Sequence, residues 1–268
     1  MMPASRSPLL DAVDRSPLMA ADHDRAGWVG LFTADGRVED PVGSRPHIGA
    51  LQIGRFYDTF IAPRQIVFRH EADIVSGTTV IRDVVLEVGM GPAVTMRIPA
   101  VLRYDLRDEA SRWGIERLRA YWELPAMVVQ FAGNGLAAGP QALDLGRALI
   151  RNQGLRGSLG FASGFRGARF RGKRTVRAFL DAVAAGDQLR AWRSLGPGAL
   201  ITRGERDPLK FGAFSDELAG ASWTKVIAAG SSVTASLRGP RPAVLIAELG
   251  AAGGQISRLR YFAEWLGE

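Results

Sequence analysis

The sequence predicts an α+β protein made of two tandem cones, each a set of helices packed on a curved antiparallel sheet. Three observations predict it. Helical patterns precede strand patterns in the first half, and the same order recurs in the second. The pattern Ile-x-Arg-Leu-Arg closes each half, at residues 115–119 and 256–260, with aromatics soon after. A Gly/Arg-rich stretch separates the halves. At 268 residues the chain suits two units of about 100–150 residues. The expected division is 5–124 for the first domain, 125–171 for a basic connector and 172–268 for the second domain.

The elements follow in order. Ser16 before Pro17 reads as a helix start, with Ser as cap and Pro at the first helical position. Residues 21–33 place Trp28, Leu31 and Phe32 on one helical face. A short strand is expected over 37–40, then a loop, then an amphipathic helix over 48–61 with Leu51, Ile53, Phe56 and Phe60 on its apolar side. Strands expected at 64–75, 78–89, 94–106 and 112–123 are rich in β-branched residues and separated by turn residues, which predicts an antiparallel meander. On the second of them, Val84, Leu86 and Val88 share one face, and Asp83 and Glu87 take the other. The second half repeats the plan with a helical pattern over 175–195 and strands at 199–203, 223–229, 232–238, 243–249 and 255–264. Before each short strand an Asp (Asp24, Asp187) precedes a Trp (Trp28, Trp192) and a Leu (Leu31, Leu195). Duplication implies an intramolecular pseudo-dimer, with a homodimer as the other arrangement.

The net charge of +7 is concentrated. Residues 126–174 hold eight basic residues and one acid, Asp144, while the remainder balances at 26 of each sign. The basicity therefore belongs to the connector. It reads either as a solvated linker or as a basic, apolar-studded segment, 140–174, that lies on an anionic membrane surface. Two Phe-Arg-Gly repeats are too few to argue for RNA, so nucleic acid is not an expected partner. No apolar run reaches the ~18 residues of a membrane span. The N-terminal residues mix Arg, Asp and Pro and lack a signal-peptide core, so a cytoplasmic location is expected, with membrane association through the connector. There is no cysteine, and the three histidines lack metal-ligand spacing. Neither metal nor cofactor is expected. Residues 167–173 miss a phosphate-binding loop because Arg174 stands where a Ser or Thr belongs.

Residues 35–60, DGRVEDPVGSRPHIGALQIGRFYDTF, resemble the bacterial ketosteroid isomerases of the NTF2-like (SnoaL-like) superfamily. Val38-Glu39-Asp40-Pro41-Val42-Gly43-Ser44, Pro46, Gly49, Ile53 and Phe56-Tyr57 sit at that family's spacing. The resemblance implies a cone with an apolar pocket, a small hydrophobic carbonyl ligand such as a steroid, and Asp40 as the carboxylate that shuttles a proton. A Pro after the base lacks an N–H and has fixed φ, which stiffens the turn that aims it. Asp40 also fits a simpler role, capping the Pro-Val-Gly turn. Tyr57 matches a residue that supports the family's donor network, and fits equally a half-buried helix aromatic.

The pattern departs from the family at the enolate donors, a Tyr and a protonated Asp. The Tyr belongs on the first helix near Ser16, and none of the four tyrosines can reach that helix by any register. The Asp belongs at Ala100 or Val101, neither of which donates. The pocket lining is expected from Trp28, Phe32, Phe56, Val84, Leu86, Val101 and Trp122. The second half offers Thr202 or Arg203 in place of the base. Three functions stay open: an isomerase-like enzyme using Asp40 and Tyr57, a non-catalytic carrier whose connector meets membranes, and an interaction module.

Overall fold

The computed structural model describes residues 8–89, 94–110, 112–133, 170–250 and 254–263. Residues 134–169 lie outside that set, and most of the membrane-facing segment expected at 140–174 lies there with them.

Helix α1 spans Pro8–Ala21 and carries Pro17 in its interior. The expected start at Ser16–Pro17 is therefore corrected. Pro8 holds the first-turn position that suits a fixed φ, and burial of Val13, Ser16 and Ala20 outweighs the hydrogen bond that Pro17 removes. Helix α2, Arg25–Gly30, is capped by Asp24, whose Oδ1 accepts from the Gly27 N–H at 2.8 Å. Strand β1 (Phe32–Glu39), strand β2 (His47–Ile48) and helix α3 (Gly49–Phe60) follow. On α3, Ile53 and Phe56 are buried, while Leu51 points to solvent at 69% exposure. Leu51 was expected on the apolar side; two residues before Ile53, it falls about 200° round the helix.

Strands β3 (Gln65–Ser76), β4 (Thr79–Gly89), β5 (Thr95–Asp108) and β6 (Trp113–Tyr121) form the expected antiparallel meander. The sheet order is β2-β1-β6-β5-β4-β3. Because β1 joins β6 in parallel, the sheet is mixed and not wholly antiparallel. Helix α4, Leu124–Ala132, closes this half.

The second cone contains α5 (Phe170–Ala184), α6 (Gln188–Trp192), β7 (Leu195–Arg203), β8 (Asp207–Pro208), α7 (Phe211–Glu217), and strands β9 (Ser222–Ala229), β10 (Ser232–Arg238), β11 (Ala243–Leu249) and β12 (Ile256–Ala263). Its sheet order, β8-β7-β12-β11-β10-β9, repeats the first. The duplication reaches irregular details. Phe32 pairs with Ile115 and Arg37 with Arg117; likewise Leu195 pairs with Ile256 and Leu200 with Arg258, so both cones carry the same bulge. Asp187 caps α6 through the Arg190 N–H as Asp24 caps α2. Four residues beyond each cap lie buried Trp28 and buried Ala191, so Trp192, 57% exposed, is not the counterpart of Trp28.

The two sheets pack face to face. Val42, Ile74, Ile81, Val101 and Tyr121 meet Ile227, Val244, Ile246 and Phe262 in one apolar cluster. Buried charge lies beside it: Arg103 binds Asp105 at 2.7 Å and Glu205 of the other cone at 2.6 Å, and Glu205 also takes Arg260 at 3.0 Å.

Candidate functional site

Alternation along the strands sends one set of side chains into the first cone. Leu86 and Val88 come from β4, Met96, Ile98, Leu102 and Tyr104 from β5, and Leu118 and Ala120 from β6. Ser16, Trp28, Phe56 and Met127 close the cavity from the helices. It measures about 140 Å³, room for roughly five waters at about 30 Å³ each.

Asp40, just past the end of β1, stands in this wall, and its Oδ1 accepts from the Trp122 indole N–H at 2.5 Å. Burial pushes its carboxyl up to about 6 against the lowering effect of that hydrogen bond. The peptide between Asp40 and Pro41 is cis. Turn capping falls to Glu39, whose Oε1 accepts from the Gly43 N–H at 2.9 Å. Asp40 is thereby left to the cavity, as a desolvated carboxylate that gains or loses a proton near neutral pH.

A second polar group enters from β5. Tyr104 is buried on the cavity wall, and burial pushes its phenol up, opposed by the charge of Arg82 and by the Ser16 hydroxyl. The Trp28 indole N–H in turn donates to Ser16 Oγ at 3.1 Å. Tyr104 is not marked by the family pattern, which carries its Tyr donor on the first helix. Its signal was alternation: it is in phase with Ile98, Ala100 and Leu102. Arg64, at the rim, donates to the Thr59 carbonyl at 2.7 Å, and burial lowers it to about 10.

Of the residues singled out from sequence, Trp28, Phe56, Leu86, Trp122 and Asp40 stand on the cavity wall. Phe32 and Val84 lie in the surrounding core and are not on that wall. Val101 is corrected outright: it faces away, into the cluster between the sheets, because it is out of phase with Ala100. Tyr57 is buried against Trp28, ring centroids 5.6 Å apart, and its hydroxyl has no hydrogen-bond partner among the described residues. It does not border the cavity. Asp83 pairs with Lys225 and Glu87 with Arg69, both outside the cavity.

In the second cone, Thr202 pairs with Arg260 as Glu39 pairs with Arg119. The counterpart of Asp40 is therefore Arg203, which is ion-paired with Glu217. Its interior is packed by Phe179, Phe214 and Tyr261. Among the described residues no group of three His, Asp or Glu could hold a metal ion, and no helix is long and apolar enough to cross a membrane.

No curated protein matches the chain. Several solved structures are similar to one half of it. A Δ5-3-ketosteroid isomerase from Mycobacterium sp. is 30% identical, covering 46% of this chain and 98% of its own, with a TM-score of 0.41. The RV0760c protein of Mycobacterium tuberculosis, in complex with estradiol-17β-hemisuccinate, is 28% identical over 45% of this chain and 97% of its own, with a TM-score of 0.41. A computationally designed 17-OHP binder is 26% identical over 45% and 96%, with a TM-score of 0.41. The model of the nuclear transport factor 2 (NTF2) domain matches residues 11–130. With the second sheet repeating the order of the first, the chain is a tandem of NTF2-like cones, and residues 11–130 belong to the NTF2 domain family.

Proposed function

We propose that the first cone binds a hydrophobic carbonyl compound of steroid-like character and that Asp40 moves a proton within it. The observation that carries this reading is a carboxyl raised to about 6 inside an apolar cavity. Near neutral pH such a group is a base that can also return its proton. Asp40 removes a proton from the carbon next to the carbonyl, and the C–H electron pair becomes the double bond of an enolate. The charge settles on the carbonyl oxygen. The same proton then returns two carbons away, so the double bond shifts and no other reactant is consumed.

The enolate oxygen needs a donor, and Tyr104 is placed to serve. In this reading the Ser16 hydroxyl, which accepts from Trp28 and lowers the Tyr104 phenol, donates to the phenolic oxygen and so leaves the phenolic proton for a ligand. Ser16 thus stands near the helix position where the family carries its Tyr, while the phenol arrives from β5. Tyr57, off the cavity wall, is a packing residue in this reading.

The test is spectrophotometric isomerisation of a 3-oxo-Δ5-steroid beside Asp40→Asn, with binding followed by Trp28 and Trp122 fluorescence. Turnover lost in Asp40→Asn with binding kept supports the reading. Ala100, buried where the family carries a donor, favours the carrier alternative; binding without turnover in the unaltered protein would establish that instead. Absence of binding overturns both.

A further inference from the structure

A second cavity lies where the cones meet. It is a cleft of about 340 Å³ between α4 and β5 of the first cone and α5 and β9 of the second. Ile98 and Met127 border both spaces, so the cleft lies directly beside the apolar cavity. Strand β5 makes the division, since Met96 borders the cavity alone while Arg97 and Pro99 border the cleft alone. The Arg97 backbone N–H donates to Gln130 Oε1 at 3.1 Å, which fixes α4 along this boundary.

The polar wall of the cleft is mostly donors: Arg97, Gln130, Lys173, Arg177, Thr224 and Lys225. Its one carboxylate among the described residues, Glu123, is already committed, accepting from Lys173 at 2.6 Å and from the Ala228 N–H at 3.0 Å. Lys225 is held by Asp83 and by Glu71. The two arginines differ. Arg97 is 69% exposed and reaches Glu87 only at 3.6 Å. Arg177 lies over the Trp223 ring at 5.6 Å and meets no carboxylate among the described residues. A guanidinium stacked on a ring keeps its N–H edge for an anion, and that edge fits the two oxygens of a carboxylate or phosphate.

We propose that this cleft binds the anionic head, a carboxylate or a phosphate ester, of an amphiphilic ligand whose apolar carbonyl-bearing body occupies the cavity beside Asp40. The inference rests on the reading of that cavity given above, and it adds Arg97 and Arg177 as the residues that set ligand class. It also gives the second cone a part in binding, because Lys173, Arg177 and Trp223 all come from it. The ligand would lie along β5, past Ile98 and Met127, its two ends met by different cones.

The test compares 19-nortestosterone, its 17-hemisuccinate, its 17-phosphate and inorganic phosphate alone, titrated into the full chain and into Arg97→Gln/Arg177→Gln. At 50 mM salt at least one charged steroid should bind about tenfold more tightly than the neutral parent. The advantage should shrink at 500 mM, where screening is stronger. It should vanish in the double variant, whose affinity for the neutral parent stays the same. Whichever conjugate binds more tightly names the head, and inorganic phosphate should bind far more weakly than either. Equal affinity for charged and neutral steroids overturns the inference while leaving the cavity reading intact. So does an advantage that survives in the double variant. Failure of neutral and charged steroids alike to bind overturns the cavity reading and this one with it.

Discussion

The Trp122 indole N–H donates to Asp40 across 2.5 Å, and it is the only hydrogen bond to that carboxylate among the described residues. Burial and this single donor oppose each other, and burial wins, leaving the carboxyl at about 6. Replacing Trp122 by Phe keeps an aromatic wall and removes the donor. Asp40 should then titrate above about 6, as followed by carboxyl carbon NMR. If the isomerase reading holds, the acid limb of the activity profile moves to higher pH with it. An unchanged titration would show that the indole does not govern the base.

Asp40 should also weaken the fold at neutral pH. Its folded value of about 6 lies above the unfolded ~3.9. The stability linked to this group is fully present below the unfolded value and is lost as pH rises through the folded one. The loss is on the order of 2–3 kcal/mol. Asp40→Asn cannot ionise, so it should be more stable than the parent by about that much at pH 8 and equal to it near pH 3.5. Denaturant midpoints at the two pH values measure the difference, and equal midpoints at pH 8 would count against a desolvated Asp40.

Gly43 and Gly230 meet backbone to backbone between the cones. A Cβ on Gly43 would stand 2.5 Å from the Gly230 Cα, and φ is +95° at Gly43 and +57° at Gly230. Gly43→Ala should therefore cost the strain of a positive φ, about 1–2 kcal/mol, plus the displacement of a facing turn. Gly77→Ala makes the control, with φ +58° and nothing within 4 Å. Thermal unfolding should show Gly43→Ala clearly below Gly77→Ala; equal losses would mean the turns are free to part.

That contact bears on what the sequence could tell. The meander was legible because β-branched strands alternate with turn residues, and its observed ends fall within about two residues of expectation. Asp40 was legible from its neighbours, Pro41 to Ser44. The structure gives those neighbours a further duty, since Val42 and Gly43 also dock the second cone. A single strand cannot reveal which face meets another sheet, and Val101 was misplaced for that reason. Helix α7 was missed because only seven residues, with a Gly inside, leave little periodicity. The cleft was beyond reach, as its walls are joined only by the docking of the cones.

Glu205 should hold the cones together in a pH-dependent way. Burial alone would raise its carboxyl, but the attraction of Arg103 and Arg260 overrides burial and lowers it. A lowered folded value gives stability that is present above the unfolded ~4.3 and is lost as pH falls below it. Glu205→Gln leaves Arg103 and Arg260, 2% and 5% exposed in their side chains, with less counter-charge. Breaking a buried pair costs about 3–5 kcal/mol. With its side chain 34% exposed, Glu205 is partly screened, so about 2 kcal/mol is expected at pH 7. The variant should also lose the parent's decline as pH falls below about 4.3. A parallel decline would place the acid sensitivity elsewhere.

Tyr104→Phe separates the donor from the wall. The ring stays, so packing against Leu118 and Val80, its partners across the sheet, is preserved. Removing one donor to a developing oxyanion costs about 10²–10³ in rate. Turnover of a 3-oxo-Δ5-steroid should fall by that factor, with a much smaller change in affinity. A readout independent of turnover is the infrared carbonyl stretch of a bound 3-oxo steroid, which a donating phenol moves to lower frequency. Tyr104→Phe should return it toward the value in an apolar solvent. Ser16→Ala, which removes the group that hydrogen-bonds the phenol, should produce a smaller shift in the same direction. A carbonyl stretch unchanged by Tyr104→Phe would show that the phenol does not touch the ligand, and the enolate would then need another donor.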